Sequence, residues 1–168
     1  AIAFLTGILS NQIKIDDRVK EMARDARKKF ITNENVRLAA DYILYGEKNI
    51  KESIKNSEEA TLLFNKGNYS RALYYFKQAA KKNPADYSNF ENIGMLLINE
   101  KKTKEGIKLL KRVVDSMQRP DSNLGKSEYL LGLGYLKIEK KDSACYYLDL
   151  SRKLNYRDSF RVHAANCY

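Results

Sequence analysis

The stretch FENIGMLLINEKKTKEGIKLLKRVV, residues 90–114, decides the fold. Phe90, Ile93, Gly94 and Leu97 fall at i, i+3, i+4 and i+7, one stripe of a helix. The polar run NEKK follows as a turn, with Thr103 as a candidate N-cap. Gly106, Ile107, Leu110, Val113 and Val114 then make the stripe of a second helix. Two antiparallel helices joined by a short turn result.

The same register recurs on both sides. Stepping back 34 residues, Gly94, Leu97, Gly106, Leu110 and Val113 become Ala60, Leu63, Ala72, Phe76 and Ala79. Stepping forward 38, Gly94, Leu97, Gly106 and Leu110 become Gly132, Tyr135, Ala144 and Leu148. The four extra residues fit an insertion around Pro120–Leu124, where RPDSN has turn chemistry. Small side chains recur where helices must cross closely. Ala60, Gly94 and Gly132 serve the crossing within each pair, and Ala72, Gly106 and Ala144 serve contacts with neighbours. Phe76, Leu110 and Leu148 fill the gaps between.

The first unit reads as a helix from about Ile50 to Lys66, a turn at Gly67–Asn68, a cap at Ser70 and a helix to about Lys82. Asn83-Pro84 ends it, since proline disfavours helix in the preceding residue. The third runs from about Gly125 to Asn155, its second helix capped by Asp142 or Ser143. Units of about 53–86, 87–120 and 125–158 are expected, with a partial fourth at 158–168. Residues 1–52 are expected to form a helical segment capping the array. Val19, Met22, Ala26 and Phe30 give one apolar stripe there, and Val36, Ala39, Ala40, Ile43 and Leu44 another. Apolar alternation of period two is absent, so the expected class is all-α.

These residues resemble the tetratricopeptide repeat (TPR) family, over about Ser53 to Tyr168. The family pattern is a large residue, Leu-Gly, Tyr, Ala, an aromatic, Ala and Pro within 34 residues. The second unit offers Phe90, Ile93-Gly94, Leu97, Gly106, Leu110 and Val113, and the first Ala60, Leu63, Ala72, Phe76, Ala79 and Pro84. The third offers Leu131-Gly132, Tyr135, Ala144 and Leu148, and also resembles the related Sel1-type repeats. Asn56 and Glu128 depart from the large first residue, Ser151 from an alanine and Tyr156 from the proline. The resemblance implies a right-handed α-solenoid whose first helices line a concave groove.

That groove would carry Thr61, Phe64 and Asn65, then Glu91, Asn92, Met95 and Asn99, then Lys126, Tyr129, Leu133 and Lys137. Amide, aromatic and basic groups together suit a peptide, with Asn bonding its backbone and Lys its carboxylates. The family's clamp for acidic chaperone tails uses Lys and Asn, then Asn, then Lys and Arg. The matching positions hold Ser57 and Thr61, Asn92, Lys126 and Leu130, so chaperone-tail binding is not expected.

Composition bounds the rest. The net charge is +10, from 31 basic and 21 acidic residues. Lys66, Lys101, Lys102, Lys140 and Lys141 gather at the inter-helix turns, which a solenoid aligns along one edge; Lys104, Lys108, Lys111 and Arg112 extend that patch. The edge could meet an acidic protein surface, an anionic membrane or nucleic acid. The last is disfavoured because no base-reading positions recur between units. Solvation by lysine is the simpler reading of the edge.

One histidine, His163, excludes multi-His zinc chemistry and His-pair catalysis. No nucleophile–base set, phosphate loop or metal cluster is legible, so no catalysis and no cofactor are expected. Cys145 and Cys167 fall on helices expected to pack together and read as buried free thiols rather than a disulfide. The pairs Tyr74–Tyr75 and Tyr146–Tyr147 read as core. No run reaches the roughly 18 apolar residues of a membrane span. Ala1–Leu9 reads as a short packed helix, or as the end of a signal or anchor. The compartment leans cytoplasmic on the first reading and periplasmic or exported on the second. The expected function is a protein-interaction scaffold within a larger assembly, of unknown oligomeric state.

Overall fold

Local sequence signals set several of the helix boundaries. In the computed structural model, which describes residues 14–120 and 124–168, the described residues form nine helices and no strand. The expectations for Ala1–Leu9 and for Asp121–Asn123 of the insertion lie outside the described residues. Helices α1 (Asp17–Lys29) and α2 (Glu34–Tyr45) form a hairpin. Then come the pairs α3 (Glu47–Asn65) with α4 (Tyr69–Lys82), α5 (Tyr87–Asn99) with α6 (Thr103–Ser116), and α7 (Lys126–Lys137) with α8 (Lys141–Lys153). Helix α9 (Arg157–Asn166) packs on α8. Each pair also packs on the next, α4 on α5 and α6 on α7. Residues 52 and 53 both lie inside α3, so the boundary expected there falls within a helix, and the first helix of the array begins at Glu47.

Side-chain oxygens of Asp16, Asn33, Asn68 and Asp86 accept from the first-turn amides of α1, α2, α4 and α5. The caps expected at Ser70, Thr103 and Asp142 or Ser143 are not caps. Each of these residues lies within its helix, and the cap positions belong to Asn68, Lys102 and Lys140. The reason is the turn geometry, which starts each second helix early. Gly67, Lys101 and Glu139 hold left-handed backbone, with φ of 76°, 64° and 59°. In each case the next amide closes the turn by donating back: Asn68 to the Leu63 carbonyl, Lys102 to Leu97 and Lys140 to Tyr135. These three turns keep the 34- and 38-residue steps seen in the sequence.

The small residues sit at the crossings. Ala60, Ala72 and Ala144 are completely buried, as are Leu110 and Leu148, and Gly94, Gly106 and Gly132 are buried too. Burying each leucine contributes about 1.5–3 kcal/mol. Two serines close the bases of pairs in mirrored fashion. Ser53 Oγ donates to the Ala79 carbonyl at 2.9 Å, whereas Ser151 Oγ donates to the Gly125 carbonyl at 2.6 Å. Ser151 thus stands in an alanine's place with its hydroxyl satisfied.

One other departure is filled by a buried ion pair, and a second such pair lies in the N-terminal hairpin. Glu128, in the large-residue position, is 2% exposed and accepts from Arg119 through both oxygens, at 2.7 and 3.1 Å. Arg27 is buried against Asp41 at 2.8 Å. It also donates to the Ala85 carbonyl at 2.8 Å and to Gln118 at 3.1 Å, while Asn83 donates to the other Asp41 oxygen. This Arg27 cluster ties α1 and α2 to the α4–α5 turn and to the end of α6. It also rotates the expected α1 stripe: Ala23 and Arg27 are buried, and Met22 and Phe30 are about half exposed.

Two further expectations are corrected. Cys145 and Cys167 form a disulfide, with Cα atoms 5.4 Å apart, rather than two free thiols. The bond ties α8 to the residue after α9, because α9 folds back along α8. Of the tyrosine pairs, only the second member packs inward. Tyr74 and Tyr146 are 58% and 65% exposed, whereas Tyr147 is buried. Consecutive helical residues diverge by about 100°, so both cannot face the core.

Candidate functional site

The first helices α5 and α7 lie side by side, and their shared face holds an apolar recess of about 370 Å³. Met95, Asn99, Tyr129, Leu133 and Lys137, all expected on the groove, line it. Ile98, Leu130 and Leu136 complete the lining. The sequence reading did not place these three in the groove, although Leu130 stood at a clamp position; Ile98, three residues after Met95, shares its stripe and was the available signal. Met95, Tyr129 and Leu133 are half-buried, so the recess is an apolar hollow with its polar groups, Asn99 and Lys137, at the rim.

Lys137 is anchored. Its Nζ donates to the Ile98 carbonyl at 3.2 Å and to Asn99 Oδ1 at 3.5 Å, at the C-terminal end of α5 where a cation is favoured. Tyr129 lies against Tyr156, ring centroids 5.3 Å apart. Burial, then Asp158, raises the phenol pKa of both.

Glu91 lies beneath the groove rather than on it. It is 3% exposed, accepts from Ser127 Oγ at 2.5 Å and sits 3.6 Å from Lys126 Nζ. Burial raises its carboxyl pKa; the Ser127 hydrogen bond and the Lys126 and Arg119 charges oppose that shift. Glu91 and Lys126 therefore link α5 to α7. Asn92 is half-buried and does not line the recess.

The first-unit residues stand apart from the recess. Thr61 is exposed with its hydroxyl bonded to the Ser57 carbonyl at 2.9 Å, Asn65 is exposed, and Phe64 packs on Tyr69. At the clamp positions, Leu130 is buried and Lys126 faces Glu91.

Lys66, Lys101, Lys102, Lys140 and Lys141 are all exposed at the turns. Lys101, Lys102, Lys104 and Lys137 border an open hollow of about 600 Å³ with Ile98 and Ile138 at its base. Lys102 is 3.7 Å from Glu100.

Hairpins packed in succession, with small residues at each crossing and a left-handed turn between paired helices, define a TPR-type solenoid. Comparison with solved structures agrees. The chain is similar to YrrB, described as a TPR protein with an unusual peptide-binding site, at a TM-score of 0.59 and 19% identity over 95% of this chain and 87% of that one. It is also similar to MamA from Desulfovibrio magneticus RS-1, at 0.55 and 21% over 84% and 77%. No family model and no curated protein matches the sequence. The fold is a right-handed, all-α solenoid of TPR-like repeats.

Proposed function

We propose that this chain is a binding scaffold, not an enzyme, that holds a peptide or partner protein along the face of its first helices as part of a larger assembly. The recess between α5 and α7 carries this reading. It offers a half-buried apolar hollow with an amide and an ammonium at its rim, the composition that suits one anchoring side chain and a flanking backbone. YrrB's described peptide-binding site is consistent with such use of the fold. Residues 1–52 would cap the array formed by 53–168. An oxidising compartment fits the Cys145–Cys167 bond.

The test is selection from a displayed random-peptide library on the full chain, repeated with Met95→Lys and Leu133→Lys. Enriched peptides should bind the wild type and lose at least tenfold on either variant. Peptides that bind all three proteins equally would remove this face from consideration.

A second reading rests on the lysine hollow at the turns, which would meet an acidic or anionic surface. Binding to RNA, DNA or anionic vesicles should then fall steeply with salt. No binding at low salt would end it.

A further inference from the structure

A second recess, of about 540 Å³, opens on the opposite set of helices, between α4 and α6. Its floor is apolar: Ala80, Phe90, Ile93, Leu97 and Leu109. Its rim is basic, with Lys77, Lys81 and Arg112 against one acid, Glu105. None of the three cations forms an ion pair among the described residues, and Arg112 lies over the Phe90 ring at 5.3 Å.

The next step of the repeat shows what fits such a place. Moving 38 residues on, Leu97 and Leu109 become Tyr135 and Tyr147. Those two rings stack at the corresponding place of the next unit, centroids 5.5 Å apart and 6° from parallel, and pack into the buried cluster there. Lys111, the counterpart of Lys77, donates to the Tyr147 hydroxyl at 3.2 Å. Between α4 and α6 two leucines stand in place of the aromatic pair, and none of the three cations is paired with a carboxylate among the described residues, Arg112 lying over Phe90.

We propose that the α4–α6 recess docks an acidic peptide segment bearing an aromatic residue. The ring lies on Leu97, Leu109 and Phe90, as the chain's own tyrosines do one unit later. Flanking carboxylates pair with Lys77, Lys81 and Arg112. A purely acidic segment would leave the apolar floor uncovered, and a purely apolar one would leave three cations unmatched. This inference is independent of the α5–α7 recess.

The test uses the full chain and a fluorescein-labelled synthetic peptide, Glu-Glu-Asp-Tyr-Leu-Glu-Glu, read by fluorescence anisotropy at low salt. Saturable binding is expected. The Leu97→Tyr/Leu109→Tyr variant, which fills the recess with the residues the third unit carries, should weaken it at least tenfold. So should the surface variant Lys81→Glu/Arg112→Glu, which does not depend on repacking. A peptide with Gly in place of Tyr should lose as much, whereas Leu133→Lys should change nothing. Absence of saturable binding, equal binding of the Gly peptide, equal binding by the filled or charge-reversed variant, or loss in Leu133→Lys would each overturn the proposal.

Discussion

Gly94 and Leu110 meet where α5 crosses α6: a β-carbon on Gly94 would stand 2.6 Å from Leu110 Cγ. One unit later the same distance separates such an atom on Gly132 from Leu148 Cγ. The branch point of each leucine occupies the space that glycine leaves. Gly94→Ala should therefore cost about 1–3 kcal/mol by overpacking, despite alanine's better helix propensity. Urea unfolding measures it. In a Leu110→Ala background the penalty should shrink, because the obstructing branch is gone. Additive costs in that double variant would refute the contact.

The ion pair of Arg27 and Asp41 is buried on both sides. Removing one partner strands a charge in low dielectric, at about 3–5 kcal/mol. Asp41→Ala should show a loss of that size, and Arg27→Met/Asp41→Leu a smaller one. Equal losses would mean that the hydrogen bonds of Arg27 to Ala85 and Gln118, not the charge, hold the hairpin.

These two features differ in how visible they are in the sequence. The crossing glycines, their leucines and the helical units are periodic, so a one-dimensional pattern reveals them. Arg27, Asp41, Asn83 and Gln118 lie at unrelated spacings, and only the fold brings them together. The approach of Cys145 and Cys167 was legible from the packing expected of their helices, but the bond between them was not. Part of the candidate site was legible, since the resemblance implies a groove on the first helices and helical offset from the packing stripe then names Met95, Asn99, Tyr129, Leu133 and Lys137. Glu91 was not, because its partner Ser127 comes from the next unit 36 residues away.

Burial holds the folded Glu91 carboxyl above its ordinary pKa. A raised carboxyl pKa contributes stability that is present at low pH and lost as pH rises through the folded-state value. Glu91→Gln keeps an acceptor for Ser127 and removes the buried charge. It should be more stable than the wild type at pH 7, and the gap should close below about pH 4, near the ordinary Glu value. A constant gap in denaturation curves at both pH values would contradict this.

The Cys145–Cys167 bond closes a segment with a sequence separation of 22 residues and holds α9, whose main contact is α8. Reduction should cost about 2–4 kcal/mol, concentrated at that end of the chain. Hydrogen exchange of α9 amides should rise in reductant while α5 and α6 stay protected. Unchanged exchange in α9, or two alkylatable thiols in the untreated protein, would count against the bond.

The left-handed turn between paired helices is built three times, with glycine, lysine and glutamate in turn at its centre. Backbone hydrogen bonds and helix packing set its shape, so side-chain identity there is free to drift. The rim of the solenoid can therefore change sign of charge, one turn at a time, without disturbing the stack beneath it. Surface charge and architecture can vary separately in such a molecule.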